Sequence, residues 1–388
     1  MALPRSPHRD RLLDTVHDIA PRLEAGAMEA EQQRHLGHKA VNLLRQTDLF
    51  RCAAAEDVGG LGIDPLTQLE VFEAVTAAES AAGWNLMISA ILAQVVGSRV
   101  ADDAAHEIFG SGEFPIFAGL VWPRGRAVTT EGGYSLTGRW PFCSGIHQAD
   151  WVLGGAMCFD GDKQLTNPDG TPSSCLAVLR KRDVDVHDTW HVTGLRGTGS
   201  ADFSVTDAFV PESCAFGPFE PATTRGTPWT RLPGPLVSGT GHGGFALGVG
   251  QRMLQELKTT IAATSRSMTD TTLGDRESFQ LGLGRLMVRF DAARTLVFDS
   301  HLNLWTSAMN DAYPQKADVD RMRTSIIHAT ELAVEIAQFA FRAAGTVALS
   351  ETSPIQRYLR DILAAQQHAY VRDSGYVDLA VQAIGNDR

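Results

Sequence analysis

Cysteine and basic residues are scarce in this sequence. It has five cysteines in 388 residues, and no two of them form a Cys-x-x-Cys pair. Their odd number and wide spacing predict reduced, mostly buried thiols rather than a disulfide framework or a zinc site. Two closely spaced histidine pairs, His35 with His38 and His187 with His191, lack a well-placed acidic third ligand. We therefore expect no bound metal.

The charge balance is acidic, with 34 lysines and arginines against 45 acidic residues and a formal charge of −11. Such a balance offers no electrostatic attraction to nucleic acid or to anionic lipid, so we expect neither as a partner. Long apolar runs are also missing, because the longest mostly apolar stretch, 84–97, is interrupted by Asn85, Ser89 and Gln94. The first residues lack the apolar region of a secretory signal. We expect a globular cytoplasmic protein.

Hydrophobic periodicity divides the chain into three parts. Apolar residues recur at helical intervals from about residue 9 to 109, and short runs rich in β-branched and aromatic residues follow to about 216. After a connector rich in proline and glycine, the helical period returns in the segments 245–264, 278–309, 319–344 and 355–384. We predict a mostly α, α+β chain with an N-terminal helical domain (1–113), a small central β-barrel domain (114–220) and a C-terminal four-helix bundle (235–388).

No strand alternates with helix in the manner of a βαβ unit, which argues against a doubly wound nucleotide-binding fold. The run Gly239-Thr-Gly-His-Gly-Gly244 superficially matches a dinucleotide fingerprint, but no strand precedes it. We interpret it as a loop that leads into a closely packed helix.

Several strings in order along the chain resemble the acyl-CoA dehydrogenase superfamily. They are Glu56-Asp-Val-Gly-Gly-Leu-Gly62, Gly138-Arg-Trp-Pro-Phe-Cys-Ser-Gly145, Thr189-Trp-His-Val-Thr-Gly-Leu-Arg-Gly-Thr-Gly-Ser200, Arg276-Glu-Ser-Phe279 and Pro354-Ile-Gln-Arg-Tyr-Leu-Arg-Asp361. Singly these strings are weak signals, but their order over about 300 residues is specific. The resemblance implies the helix, β-domain and helix-bundle order described above.

The departures from the dehydrogenase pattern are informative about function. Most dehydrogenases of this family have a glutamate base nine residues after the arginine equivalent to Arg360, and here that position is Ala369. The segment 232–242, where other members place the acid, has none. His368, together with the spacing of Trp140 and Ser144, resembles instead the two-component flavin monooxygenases of the same superfamily.

That resemblance implies an enzyme that uses reduced FMN, or FAD, from a separate reductase. With O2 it forms a C4a-hydroperoxyflavin that hydroxylates an aromatic, phenolic or polycyclic small molecule. The alternatives are a flavin desaturase acting on an acyl thioester, an N- or S-oxygenase acting on an amino sugar or aromatic sulfur compound, and a non-catalytic scaffold. Family members are commonly homotetramers, and we expect the same here.

The resemblance also assigns roles to individual residues. Ser144 would accept a hydrogen bond from the flavin N5–H group, and His368 would act as a base toward the substrate. The other expected flavin contacts are Trp140, Phe142, Val121, Arg276 and Phe279, of which Arg276 and Phe279 would reach the flavin of a neighbouring subunit. Apolar residues of the first domain would line the substrate pocket, namely Trp84, Met87 and Ile88. Arg360 and Asp361 would form an ion pair that orients the last helix. For each of these residues an ordinary core or surface role is the alternative.

Overall fold

The structure is a computed structural model that describes residues 5–110, 112–218, 225–264 and 271–385. The described part of the first region is helical, and its six helices are α1 (Arg9–Ala25), α2 (Ala27–Gln33), α3 (His38–Arg45), α4 (Pro65–Ala78), α5 (Ser80–Arg99) and α6 (Asp102–Phe109). Asp64 caps α4 by accepting hydrogen bonds from the backbone N–H groups of Leu66 and Thr67. Glu79 caps α5 in the same way through Ala82.

Helix α5 is the central helix of the molecule. It packs against α4, against a helix of the C-terminal region and against the first strand of the β-domain. It and the segment Lys316–Leu349 are long and apolar enough to cross a membrane, and 94% and 44% of the residues of their apolar windows are buried within the fold. Core helices of globular proteins share this composition, and α5 is one of them.

The middle region forms one sheet of eight strands, β1 (Phe117–Thr130), β2 (Gly133–Trp140), β3 (Trp151–Asp160), β4 (Lys163–Gln164), β5 (Ser174–Arg180), β6 (Asp185–His187), β7 (Asp202–Pro211) and β8 (Ala215–Phe216). The strand order is β6-β7-β2-β1-β3-β5-β8, with β4 paired to β3. The strand pairs are antiparallel except for one, because β1 and β3 run parallel. Since β2 runs antiparallel to both β1 and β3, the connection from β2 to β3 stays at one end of the sheet and passes the neighbouring strand β1, and it contains Ser144.

The helices of the C-terminal region are α7 (Gly234–Glu256), α8 (Glu277–Met309), α9 (Lys316–Ala344), α10 (Pro354–Ala365) and α11 (Ser374–Ala383). Helix α7 begins at Gly234, so the glycine-rich run lies inside a helix rather than in a loop before one. Glycine is required there because a Cβ at Gly244 would lie 2.6 Å from Cβ of Phe72, and one at Gly241 would lie 2.6 Å from Cδ1 of Ile91. The run thus allows α7 to pack closely against α4 and α5.

The predicted continuous helix over 355–384 is wrong. It is divided into α10 and α11 by residues 366–373, where a single 3-10 turn spans Ala369–Val371. His368 caps this turn, because its Nδ1 accepts a hydrogen bond from the backbone N–H of Tyr370 at 3.2 Å. The break removes His368 from a regular helix and turns it toward α5 and α7. The mostly α, α+β fold class is confirmed.

Candidate active site

Trp84 of α5 contacts both Ser144 and His368, two residues predicted for the site from distant parts of the sequence. Its indole Nε1–H donates to Oγ of Ser144 at 2.9 Å. On the other side its ring makes edge contacts with His242, Phe245 and His368, with centroid distances of 5.7, 4.9 and 6.0 Å. Trp84 therefore joins the predicted flavin-side serine to the predicted substrate-side histidine.

Ser144 is the first member of a chain of buried hydroxyl groups. Its Oγ lies 2.7 Å from Oγ of Ser200, which lies 2.6 Å from Oγ1 of Thr198. Thr198 in turn donates to the carbonyl oxygen of Leu195 at 2.8 Å. A hydroxyl has one proton, and the carbonyl can only accept, so the direction of every bond is determined. Thr198 donates to Leu195, Ser200 donates to Thr198, and Ser144 donates to Ser200.

This direction has a chemical consequence at Ser144. Its proton points toward Ser200, and one lone pair is occupied by the Trp84 N–H group. The remaining lone pair can only accept a hydrogen bond. Ser144 is 7% exposed, so this acceptor lies at the edge of the protein interior. Ser200 and Thr198 were not among the predicted site residues, although they end the family-like string 189–200.

Several apolar side chains of the β-domain are exposed, and one of them, Phe142, lies two residues before Ser144. Phe142 is 65% exposed and Trp122 is 66% exposed, while Val121 is 45% exposed. Phe142 has a φ of 61°, a strained conformation for an aromatic residue and one that clusters at functional sites. Val121 and Trp122 lie where the register of β1 and β3 shifts, between Leu120 and Gly125. An exposed aromatic ring beside a hydrogen-bond acceptor, as at Phe142 and Ser144, suits a flat apolar ring that has an N–H donor, as reduced flavin does.

Two rings predicted to contact the flavin, those of Trp140 and Phe279, are packed inside the fold. The ring of Trp140 is fully buried, stacks on Phe203 at 4.7 Å and donates through Nε1 to the carbonyl oxygen of Gly155 at 2.7 Å. It belongs to the core of the β-domain. Phe279 is 5% exposed and stacks on Phe339 in the helix bundle, so it has no free face for a cofactor.

Arg276 differs from Phe279 in this respect. It is half-buried at the residue before α8, and it makes no ion pair or side-chain hydrogen bond with any residue that the structure describes. An arginine held in this position is suited to a phosphate group. Its flavin role remains a prediction.

His368 and His242 form the centre of the substrate side. Their ring centroids are 4.3 Å apart, and His242 also stacks on Tyr370 at 5.1 Å with an interplanar angle of 13°. His242 is buried, whereas His368 as a residue is exposed although its ring packs against His242 and Trp84. Partial desolvation of the ring lowers the pKa of His368, with a smaller effect of Arg372. Desolvation also lowers the pKa of His242 well below 6.5, with His368 as the second cause.

The hydrogen bond to His368 changes its predicted role. Because Nδ1 accepts the backbone N–H of Tyr370, a neutral imidazole has its proton on Nε2. In this arrangement His368 is a hydrogen-bond donor toward a substrate, and the predicted role as proton acceptor does not fit. Among the described residues, no carboxylate makes a hydrogen bond to either imidazole.

The predicted substrate residues lie on one helix beside this cluster. Met87 is buried, and its Sδ lies 3.1 Å from the position that a Cβ would take at Gly241. Ile88 is half-buried and packs against both the helical core and the β-domain core. His242 and Tyr370 were missed as site residues. The signal for His242 was its place as the single large side chain in the glycine-rich run 239–244.

The predicted ion pair between Arg360 and Asp361 is wrong. Arg360 pairs with Glu31 at 2.6 Å, whereas the buried carboxylate of Asp361 accepts from the backbone N–H of Leu195 and from Ser80. Burial raises the pKa of Asp361 to about 7. The two side chains tie α10 to the β-domain and the first domain, and thereby position the segment that contains His368.

Comparison with known proteins agrees with the fold and with the predicted class of enzyme. Residues 240–373 match the family model of the acyl-CoA dehydrogenase C-terminal domain. The chain is 28% identical to indole-3-acetate monooxygenase from Pseudomonas putida, covering 99% of this chain and 95% of that protein. It is 23% identical to the oxygenase component of p-hydroxyphenylacetate 3-hydroxylase from Acinetobacter baumannii, covering 97% and 88%. XiaF from Streptomyces sp., solved with FADH2 and glycerol, superposes with a TM-score of 0.88 at 26% identity, covering 98% of this chain and 96% of that one.

Fold, site and relatives define a flavin-dependent oxygenase architecture. Residues 240–373 belong to the acyl-CoA dehydrogenase C-terminal domain family, and over nearly its whole length the chain is similar to flavin-dependent monooxygenases.

Proposed function

We propose that this enzyme is the oxygenase component of a two-component system that hydroxylates an aromatic small molecule. The observation that supports the proposal is the hydrogen bond between Trp84 and Ser144, because it connects the acceptor that we propose for the flavin to the ring that contacts His242 and His368. When bound, reduced flavin activates O2 and supplies one oxygen atom to the substrate. The names of the relatives support an aromatic substrate.

The residues of this chain have separate tasks in that reaction. Ser144 would accept the N–H group of the reduced flavin ring with its one free lone pair. Val121, Trp122 and Phe142 would cover the ring and exclude water. Arg276 would hold a flavin phosphate of a neighbouring subunit in a homotetramer. His368 would donate its Nε2–H to a polar group of the substrate.

We propose FMN as the flavin, to be compared directly with FAD because XiaF was solved with FADH2. A separate NAD(P)H-dependent reductase supplies the reduced form in the proposal. A cytoplasmic location is also proposed, and the five unpaired, buried cysteines support it.

Oxygen-isotope incorporation tests the function. The purified chain is mixed anaerobically with reduced FMN or reduced FAD and with indole-3-acetate or p-hydroxyphenylacetate, and labelled O2 is then added. We expect a product that contains one labelled oxygen atom, with Ser144→Ala releasing H2O2 in its place. Unlabelled substrate recovered with every flavin, together with bleaching of oxidised FAD by an acyl-CoA, would favour the desaturase instead.

A further inference from the structure

His242 is a buried polar side chain whose hydrogen bonds are unaccounted for. It is 7% exposed, and neither of its ring nitrogens makes a hydrogen bond to any residue in the described part of the chain. Neither nitrogen is among the fully buried, unpartnered side-chain atoms of the described residues, so the ring edge of His242 reaches accessible space in which a hydrogen-bond partner can bind. Its ring stacks on Tyr370 and packs against His368, so the ring edge with the two nitrogens is the part left for a partner.

Close helix packing brings His242 next to the proposed substrate site. Gly239 and Gly241 flank it at distances that no larger residue would allow, since a Cβ at Gly239 would lie 2.5 Å from Oη of Tyr370. Because these two residues have no side chain, α7 can pack closely against α5 and against the 369–371 turn. His242 therefore lies in edge contact with Trp84, the residue that donates to Ser144.

The two histidines offer complementary groups. His368 has its Nδ1 occupied by the Tyr370 N–H group and presents an Nε2–H donor. His242 is neutral, and one of its two nitrogens is an unoccupied acceptor. A substrate that has an aromatic N–H or O–H group would satisfy that acceptor.

We propose that His242 is the specificity-determining residue of the site and accepts a hydrogen bond from an aromatic N–H or O–H group of the substrate. The proposal rests on the proposed function and deepens it by naming the substrate's polar group. A site built to accept a hydrogen bond rejects an analogue that lacks the donor, because the buried acceptor is then left unpaired. The reacting ring would thereby be selected and oriented by one nitrogen atom of His242.

Binding without turnover tests this role. Indole and 1-methylindole differ by the N–H donor, and their affinities for the protein loaded with oxidised FMN are measured by equilibrium dialysis. We expect wild type to prefer indole by about tenfold or more, consistent with one buried hydrogen bond. His242→Phe retains an aromatic ring for stacking on Tyr370 and is expected to bind both ligands within about twofold of each other. His242→Asn retains an acceptor oxygen and is expected to restore part of the preference.

The matched control is His106→Phe in α6, a histidine outside the Trp84 cluster, which is expected to leave the preference unchanged. Circular dichroism verifies that each variant is folded. Equal affinity of wild type for the two ligands, no binding of indole by wild type, or an unchanged preference in His242→Phe would each overturn the inference. Isotope incorporation is measured separately, so a failed oxygenase function with an intact indole preference is distinguishable from a failed role of His242.

Discussion

The indole nitrogen of Trp84 lies 2.9 Å from Oγ of Ser144, and the two residues are 60 positions apart in the sequence. This bond holds the serine of the β2–β3 connection against the central helix α5. It also occupies one of the two lone pairs of Ser144, while the Ser200 and Thr198 hydroxyls fix where its proton points. The acceptor geometry of Ser144 is thus set by three other side chains.

Ser200→Ala is expected to disturb Ser144 without removing it. The Ser144 proton loses its acceptor, becomes free to rotate and competes for the position in which the flavin N–H should donate. We expect a several-fold rise in H2O2 released per substrate oxidised, with flavin affinity changed by less than about threefold. Ser204→Ala is the matched control, because that serine pairs with His187 elsewhere in the same sheet. A ratio of H2O2 to product equal to that of wild type would contradict the hydroxyl chain.

Arg276→Gln is expected to weaken flavin binding by about tenfold. The reason is the loss of a charge-assisted hydrogen bond to phosphate, which contributes roughly 1.5 to 3 kcal/mol. Equilibrium dialysis with FMN measures the effect. Arg285→Gln, an exposed arginine farther along α8, is the control and should bind flavin as wild type does. Equal affinities of the Arg276 and Arg285 variants would show that Arg276 is an ordinary surface residue.

Asp361→Ala is expected to destabilise the fold by about 1 to 3 kcal/mol, because the buried N–H of Leu195 and the hydroxyl of Ser80 lose their acceptor. Asp361→Asn should cost less, since its amide oxygen can accept from Leu195 and its NH2 group can donate to Ser80. Urea unfolding measures both values. If the alanine variant were as stable as the asparagine variant, the tie between α10 and the β-domain would contribute nothing measurable.

The burial of His301 leads us to expect that the free energy of unfolding depends on pH. The residue is fully buried, and desolvation lowers its pKa from 6.5 to about 4. The unfolded chain therefore binds a proton that the folded chain does not, and stability is lost as pH falls from about 6.5 toward 4. At pH 5 this contribution is about 2 kcal/mol relative to pH 7. We expect urea unfolding of His301→Gln to show a correspondingly weaker loss of stability between pH 7 and pH 5.

The contribution of His301 to the pH dependence of stability can be measured separately from that of other titrating groups. Asp361 has a raised pKa and acts in the opposite direction, since its folded form binds the proton more tightly as pH falls below about 7. Comparing His301→Gln with wild type at each pH cancels that contribution. Parallel stability curves for the two proteins would show that His301 is protonated equally in the folded and unfolded states.

The sequence by itself determined the order of helical, β and helical regions and the class of enzyme. Periodicity is a local property, and the family-like strings were readable in order along the chain. The sequence likewise shows directly that Ala369 stands at the position of the dehydrogenase base and that His368 precedes it. The sequence also indicates Ser144, Trp84 and His368 as candidate site residues, without indicating that they lie close together.

Tertiary structure alone decided which of these residues are free to act. Trp140 and Phe279 lie in the same family-like strings as Ser144 and Arg276. Their rings, however, stack on other aromatic rings inside the β-domain and the helix bundle. The direction of the Ser144 hydroxyl and the tautomer of His368 depend on partners such as Ser200 and the Tyr370 backbone. His242 became significant only when α7 closed on α5 and the 369–371 turn. Burial and hydrogen-bond direction arise from the packing of distant segments, and no local pattern encodes them.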